Sequence, residues 1–557
     1  MRGDQYDYVL SPMVNFGTTF TLGASIMSSG SVKYNGNNTY ATYQVVICPT
    51  AMEQTVTTAG TTFQHCVVLD WHVAATVTGF DLLKGEDTRV WFAPGVGIVQ
   101  VQPLDNLGNT AGNKAPAAFL RVGATTYGVQ PTIDAGAAMK LTVGNAWGYT
   151  DNPSVGSWDT MSVEPAASIS GVSALPVTDV RGNGSDQTFD RIQSDYWRTT
   201  ASYLSFCGHK SDPDDTGLTT VGMRTYYGSG PMDLPRNLSM GDSVSTGWIN
   251  IYDSRQPGTV IGQVRITLEL VAGMSMDTPA GTFSTCQVVD QLMEVASTGG
   301  GMTNLTTRVF DPSAGMIAYQ ESDSGHSGSL WKLAWARVGG STWGGVSDFN
   351  IDTYFPLVQG NTWRLGIDED YETWLVEAAQ TVGGYANTVP VSMTPNGDAG
   401  VERFYWNSNA SARRQIGMDF WTDSTHGPYL GTFATPLPEP RPSWAMGQVE
   451  RTLTTLSVPA AGITYTGEMV EVPVAFGMSA DTPAGAFGGC VGVARLLSGT
   501  DNTGKEHWEK SFVKYASGVG PVEYWRRSAD PPDKIETEYT HWGYLEQADV
   551  GGVHYPH

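Results

Sequence analysis

The stretches QVRITLELV (263–271) and EMVEVPVAF (468–476) alternate apolar and polar side chains, the period of two that marks a strand with one buried and one wet face. Similar runs rich in β-branched and aromatic residues recur along the chain between turns containing Gly and Pro. Helical spacing is confined to KAPAAFLRV (114–122) and WLVEAAQTV (374–382), both short. The pattern predicts an all-β chain of tandem β-sandwich or barrel-like modules with few short helices.

One motif occurs in three places. TTAGTTFQHCVVLD (57–70), DTPAGTFSTCQVVD (277–290) and DTPAGAFGGCVGVA (481–494) each run Ala-Gly, Phe, then Cys three residues after the Phe, into an apolar stretch. Each unit closes on a related segment: TRVWFAPGVGIVQVQ (88–102), TRVFDPSAGMIAYQ (307–320) or VKYASGVGPVEYW (513–525). We term this unit B. A companion unit A opens on VGNAWGY (143–149) and QGNTWRL (359–365) and continues to DYWR (195–198) and FYWN (404–407). One A plus one B spans about 210 residues.

The order B, A–B, A–B divides the chain into B at 5–105, a linker at 106–139, A at 140–235, B at 236–325, a linker at 326–352, A at 353–440, B at 441–529 and a tail at 530–557. The repeat marks Gly60, Cys66, Gly97, Trp147, Trp197, Gly281, Cys286, Gly315, Trp363, Trp406, Gly485, Cys490 and Gly520 as structural positions. In TPAGTF the proline pre-sets φ for a turn and the glycine supplies a positive φ, so a tight link between two strands is expected. The glycines of GVGIV admit a bulge or a close backbone approach. A phosphate loop would need a following Lys-Ser/Thr and a helix, and neither is present.

Composition narrows the function classes. The 557 residues are too many for one core and imply several domains. Only 15% are charged while 40% are hydrophobic, with 66 Gly, 17 Trp and 24 Tyr, a balance that fits an extracellular or cell-surface β protein better than a cytosolic enzyme. The net charge of −24 opposes nucleic acid and anionic membrane surfaces as partners. No apolar run is long enough for a transmembrane segment. The opening MRGDQYDYVLSP lacks the regions of a signal peptide, so an exported chain would be a mature or trimmed form.

Each candidate site has a structural alternative. Cys48 and Cys66 flank a turn and form the disulfide candidate, with Cys490 expected as a buried thiol. Asp212, Asp214 and Asp215 precede Gly217 as a candidate calcium loop, although the acid that closes an EF-hand is missing and a solvated turn is favoured. No other cofactor is indicated. GHSGS (325–329) departs from the serine-hydrolase elbow and reads as a flexible loop. Arg2-Gly3-Asp4 matches an integrin-binding tripeptide at a chain end, where it is weak. The tryptophans are expected in the core, with a sugar-stacking face as the alternative, and convergent carboxylates as in a glycoside hydrolase are the remaining enzymatic option. No catalytic residue is assigned.

YFPLVQGNTWRL (354–365), DTPAGTFSTC (277–286) and WFAPGVGIVQV (91–101) resemble the hallmarks of a broad group of bacterial secreted or surface proteins built from tandem β-rich repeats. The resemblance implies export and a β-rich module and supplies no catalytic residues. If A and B share one core, the solitary first B exposes a strand edge, and such edges recruit strands. The sequence therefore predicts head-to-tail self-association, with the tail 530–557 completing a neighbour's first B. The expected function is a non-enzymatic extracellular structural or assembly protein of a fibre, sheath or layer. A secreted module binding a surface glycan or other ligand is the alternative, and a secreted hydrolase follows it.

Overall fold

The computed structural model describes the chain apart from residues 1–7, 12–20, 35–37, 78–79, 85–86, 106–107, 118, 152–156, 184–187, 212–223, 255–257, 298–299, 324–325, 347, 368–369, 397–400, 410–411, 421–427, 441–442, 530–538 and 556–557. It is all-β, about 75% strand and 3% helix, with two short helices at Ala135–Ala138 and Ile351–Tyr354. Neither helix lies where the sequence suggested one. Residues 115–116, 119–122, 370–376 and 380–382 are strands, because pairing with neighbouring strands overrides a weak local helical spacing.

The chain divides into two compact units, Met1–Ile133 with two short later segments, and the remainder. The larger unit contains two closed barrels, each of 12 antiparallel strands. In the first, strands pair in chain order from Ala146–Thr150 onward, and the last, His326–Val338, returns to pair with the first, Trp147 opposite Ala336. In the second, Thr362–Ile367 pairs with Tyr539–Val550, Trp363 opposite Ala548. A and B are therefore halves of one barrel. Closure removes the edges that either half would expose alone.

Closure also redefines the boundaries read from the sequence. Residues 326–338, expected in a linker, and 539–550, expected in a free tail, are the strands that seal the two rings. Tyr539–Val550 pairs with Gly520–Ala529 on one side and with Thr362–Ile367 on the other. Its backbone donors and acceptors are used within its own barrel, so the expected donation of the tail to a neighbour is corrected. His326–Ser329 of GHSGS likewise lie in the strand His326–Val338 instead of a loop, and Gly325 is outside the described residues.

The two barrels share a dry seam. Trp158 stacks on Phe512 with centroids 5.3 Å apart, and Val180 and Ile192 join Val470, Val472, Val474, Ala494, Leu496 and Trp525 in one buried cluster. At its rim Arg451 binds Glu164 through two hydrogen bonds of 2.8 Å, a bidentate geometry that fixes orientation as well as charge.

The smaller unit repeats the B half as an open eight-stranded antiparallel sheet, running from Tyr8–Ser11 through the long hairpin Asn38–Thr58 and Thr61–Val77 to Ala115–Pro116. Beyond it the hairpin Phe119–Val122 and Thr125–Gly128 folds back so that Tyr127 meets Phe63 edge-on at 5.2 Å. Tyr555 meets Phe487 at 6.2 Å, with the rings tilted, in the second barrel. Residues 115–122 thus correspond to the sealing strands of the two barrels.

Candidate functional site

The geometry that recurs is the join between A and B. Each A half opens on Gly-Asn-x-Trp, and in each barrel the Trp crosses to the B half's last turn. The Trp147 indole N–H donates to the Ala314 carbonyl at 2.7 Å, and that of Trp363 to the Val519 carbonyl at 2.6 Å. The ring lies over the next residue, a glycine. A Cβ on Gly315 would meet Trp147 Cζ2 at 3.3 Å, and one on Gly520 would meet Trp363 Nε1 at 2.3 Å. Both glycines also hold positive φ, 82° and 118°, so backbone and packing impose the same residue.

The asparagine completes the clasp. Asn145 Oδ1 accepts from the Gly339 N–H at 2.9 Å, and Asn361 Oδ1 from the Gly551 N–H at 3.0 Å. Each acceptor thereby anchors the hairpin that follows the sealing strand. The amide of each donates backwards, Asn145 to Lys140 O at 2.7 Å and Asn361 to Pro356 O at 2.8 Å. Both asparagines are buried, where an unsatisfied amide would be costly.

The smaller unit carries the matching half of this clasp. Val96-Gly97 corresponds to Ala314-Gly315 and Val519-Gly520, and Gly123 to Gly339 and Gly551. Gly123, Gly339 and Gly551 share a φ of 57–58°. A Cβ on Gly97 would meet nothing within 4 Å, and among the described residues no hydrogen bond reaches the Gly123 N–H or the Val96 carbonyl. Val122 is 37% exposed where Val338 and Val550 are 6% and 5% exposed. Among the described residues no Asn-x-Trp strand meets these groups.

The other repeat positions are structural. Gly60, Gly281 and Gly485 take positive φ at the B hairpin turns. The Cys66, Cys286 and Cys490 thiols donate to the carbonyls of Phe63, Phe283 and Phe487 at 3.6, 3.4 and 3.7 Å, and all three cysteines are buried. Burial raises their pKa, to about 11 for Cys490, and pushes Cys207 up to about 11 as well. The disulfide candidate is corrected: Cys48 stands opposite Asp70 and Cys66 opposite Gln54, so the register keeps the thiols apart and both are free. Trp197 and Trp406 are buried, as are most of the described tryptophans, and Trp248 at 45% exposure is the exception. Asp212, Asp214, Asp215 and the Arg2-Gly3-Asp4 tripeptide lie outside the described residues. Among the described residues no group of three or more His, Cys, Asp or Glu is placed to hold a metal.

Carboxylates do converge, inside the barrels. In the first, Asp159 accepts from the Tyr319 hydroxyl and lies 3.4 Å from Arg181, while Arg191 reaches Asp179 at 2.6 Å. Burial, aided by the neighbouring Asp179 charge, raises Asp159 well above the usual carboxylate range. Burial also acts to raise Asp179, but Arg191, a hydrogen bond from Asp159 and Arg181 outweigh it and depress its pKa. The second barrel holds Arg413–Glu439, Arg495–Glu471 and Arg526–Glu509 pairs. Among the described residues, a cavity of about 90 Å³ lies in the first barrel and one of about 70 Å³ in the second, against about 300–1,000 Å³ for typical ligand pockets. These interiors have room for a few waters and brace the wall.

No family model and no curated protein matches the chain. Among solved structures, a putative lipoprotein from Parabacteroides distasonis ATCC 8503 aligns over 36% of this chain and 98% of its own, at 14% identity and a TM-score of 0.22. A likeness of that size bears on neither fold nor function. No helix among the described residues is long and apolar enough to cross a membrane.

Proposed function

We propose that the protein is a non-enzymatic extracellular structural or assembly protein, whose paired barrels are rigid modules of a surface layer, sheath or fibre. The observation that carries this reading is the clasped, filled barrel: the ring is sealed by its own last strand, pinned by Asn-x-Trp, and filled by ion pairs that leave little space for a substrate. Low charge and abundant Gly and aromatic residues support an extracellular setting. Negative-stain imaging of native material with a specific antibody tests it. Label distributed along repeating surface structures is expected; dispersed single particles would overturn it.

A glycan-binding module is the second reading, favoured by one residue. Trp248 presents 45% of its surface with the Arg265 guanidinium 4.9 Å from its ring centre, a partly open aromatic face of the kind sugars stack on. Binding on a polysaccharide array that disappears in Trp248→Ala would support it, and equal binding by both proteins would remove it.

A further inference from the structure

We propose that the smaller unit's B half is a receptor for a Gly-Asn-x-Trp strand heading a further A-type half-barrel, distinct from the two that are clasped in their own barrels. The inference rests on the structural reading above and specifies its partner chemistry.

The chain itself shows twice what fills this socket. In both barrels the same contacts are made: indole N–H to the carbonyl before the turn glycine, ring over that glycine, and Asn Oδ1 to the hairpin glycine N–H. The smaller unit presents the Val96 carbonyl, the uncovered Gly97 and the Gly123 N–H in the same order. The two hairpin glycines that bind asparagine and Gly123 agree in φ to about a degree, so the local turn has the same form at all three places.

Exposure supports the same assignment. In the barrels the A strand lies along the sealing strand and covers it: Ala336 and Ala548 are 0% and 1% exposed, Val338 and Val550 6% and 5%. Their counterparts are uncovered. Leu120 is half-buried and Val122 is 37% exposed, and Ile98, just past the socket glycine, is 39% exposed where Pro521 is buried. Among the described residues Phe119–Val122 pairs only with Thr125–Gly128. In the barrels the sealing strand carries the A strand as well as this hairpin. An edge with a preformed side-chain pocket is the ordinary substrate of strand addition, in which backbone pairing gives affinity and the pocket selects the side chain.

The two A halves at 140–235 and 353–440 are already clasped in their own barrels, so the occupant is a further A half. The test mixes the full 557-residue chain with a synthetic peptide of residues 140–151, KLTVGNAWGYTD. Amides of Phe119–Gly123 are expected to exchange at least about tenfold more slowly at saturating peptide, and the peptide with Ala in place of Trp147 to bind at least about tenfold more weakly. Gly97→Asn, which places a side chain in the slot, is expected to abolish the peptide's effect, with exchange of the free variant as its own reference.

Equal binding by the Trp and Ala peptides, or protection elsewhere, overturns the socket. A second arm places an extra copy of residues 134–237 ahead of Met1 to raise the effective concentration. Slower exchange of Phe119–Gly123 is expected in that arm too, and its absence there as well as with the free peptide overturns the socket. Failure of both arms leaves the structural role standing, since that role is judged by where the native protein is found.

Discussion

Replacing Trp363 by Phe isolates the clasp from the bulk of the core. Trp363 is 0% exposed, and its indole N–H is 2.6 Å from the Val519 carbonyl. Phenylalanine keeps a ring over Gly520 but leaves that carbonyl without its donor, a loss of about 1–3 kcal/mol for a buried acceptor. The smaller ring also opens a void of roughly 40 Å³, worth about 1 kcal/mol at the usual cost per unit of cavity volume. Together the change weakens the seal of the second barrel by about 3 kcal/mol, or about 100-fold in the opening equilibrium.

Amide exchange read by mass spectrometry resolves the location. Peptides covering Thr362–Ile367 and Tyr539–Val550 are expected to exchange about 100-fold faster, while those of the first barrel's seal, Ala146–Thr150 and His326–Val338, stay within about threefold of the parent. Trp147→Phe is expected to give the converse pattern. If Trp363→Phe changes exchange by less than about threefold, or accelerates both barrels alike, the clasp is not what holds the ring shut.

Gly520→Ala drives a methyl into the Trp363 indole at a φ of 118°, whereas Gly97→Ala meets only the positive-φ penalty of about 1–2 kcal/mol. Calorimetry should show the second barrel melting about 6–12 °C lower in the first variant and a much smaller change in the second. Asp159, with its pKa raised by burial, takes up a proton on folding, so its contribution is full below the unfolded pKa and is lost as pH rises through the folded value. Asp179, with its pKa lowered against burial by Arg191, contributes above the unfolded pKa and loses that contribution as pH falls through the folded value. Asp159→Asn should therefore preserve or raise stability at pH 7, and Asp179→Asn should lower it, in pH-dependent denaturant melts. Iodoacetamide on the native protein should label Cys48 and spare Cys66, Cys207, Cys286 and Cys490, with the intact mass unchanged by reductant.

The strand content, the B hairpin and the repeat phase were legible because they are local. Period-two alternation, a Gly with positive φ after Pro-Ala, and a Cys three residues beyond Phe act within a few residues of one another. The motif GNxW was visible too, but its meaning was not. Trp147 reaches Ala314 across 167 positions and Asn361 reaches Gly551 across 190, and no periodicity encodes a partner at that distance.

The tail shows the same limit. Residues 539–550 carry no B or A pattern, although their strand pairs at once with the last B strand, the A strand and a closing hairpin. The interior charges were opaque for the related reason that Tyr319 reaches Asp159 and Arg181, which face each other on neighbouring strands, only because the ring closes. The sequence by itself determined the all-β class, the turns of the B hairpins and the recurrence of A and B. Only the tertiary structure decided that A and B close into one barrel, because closure is a property of the ring and each strand alone has two edges to offer.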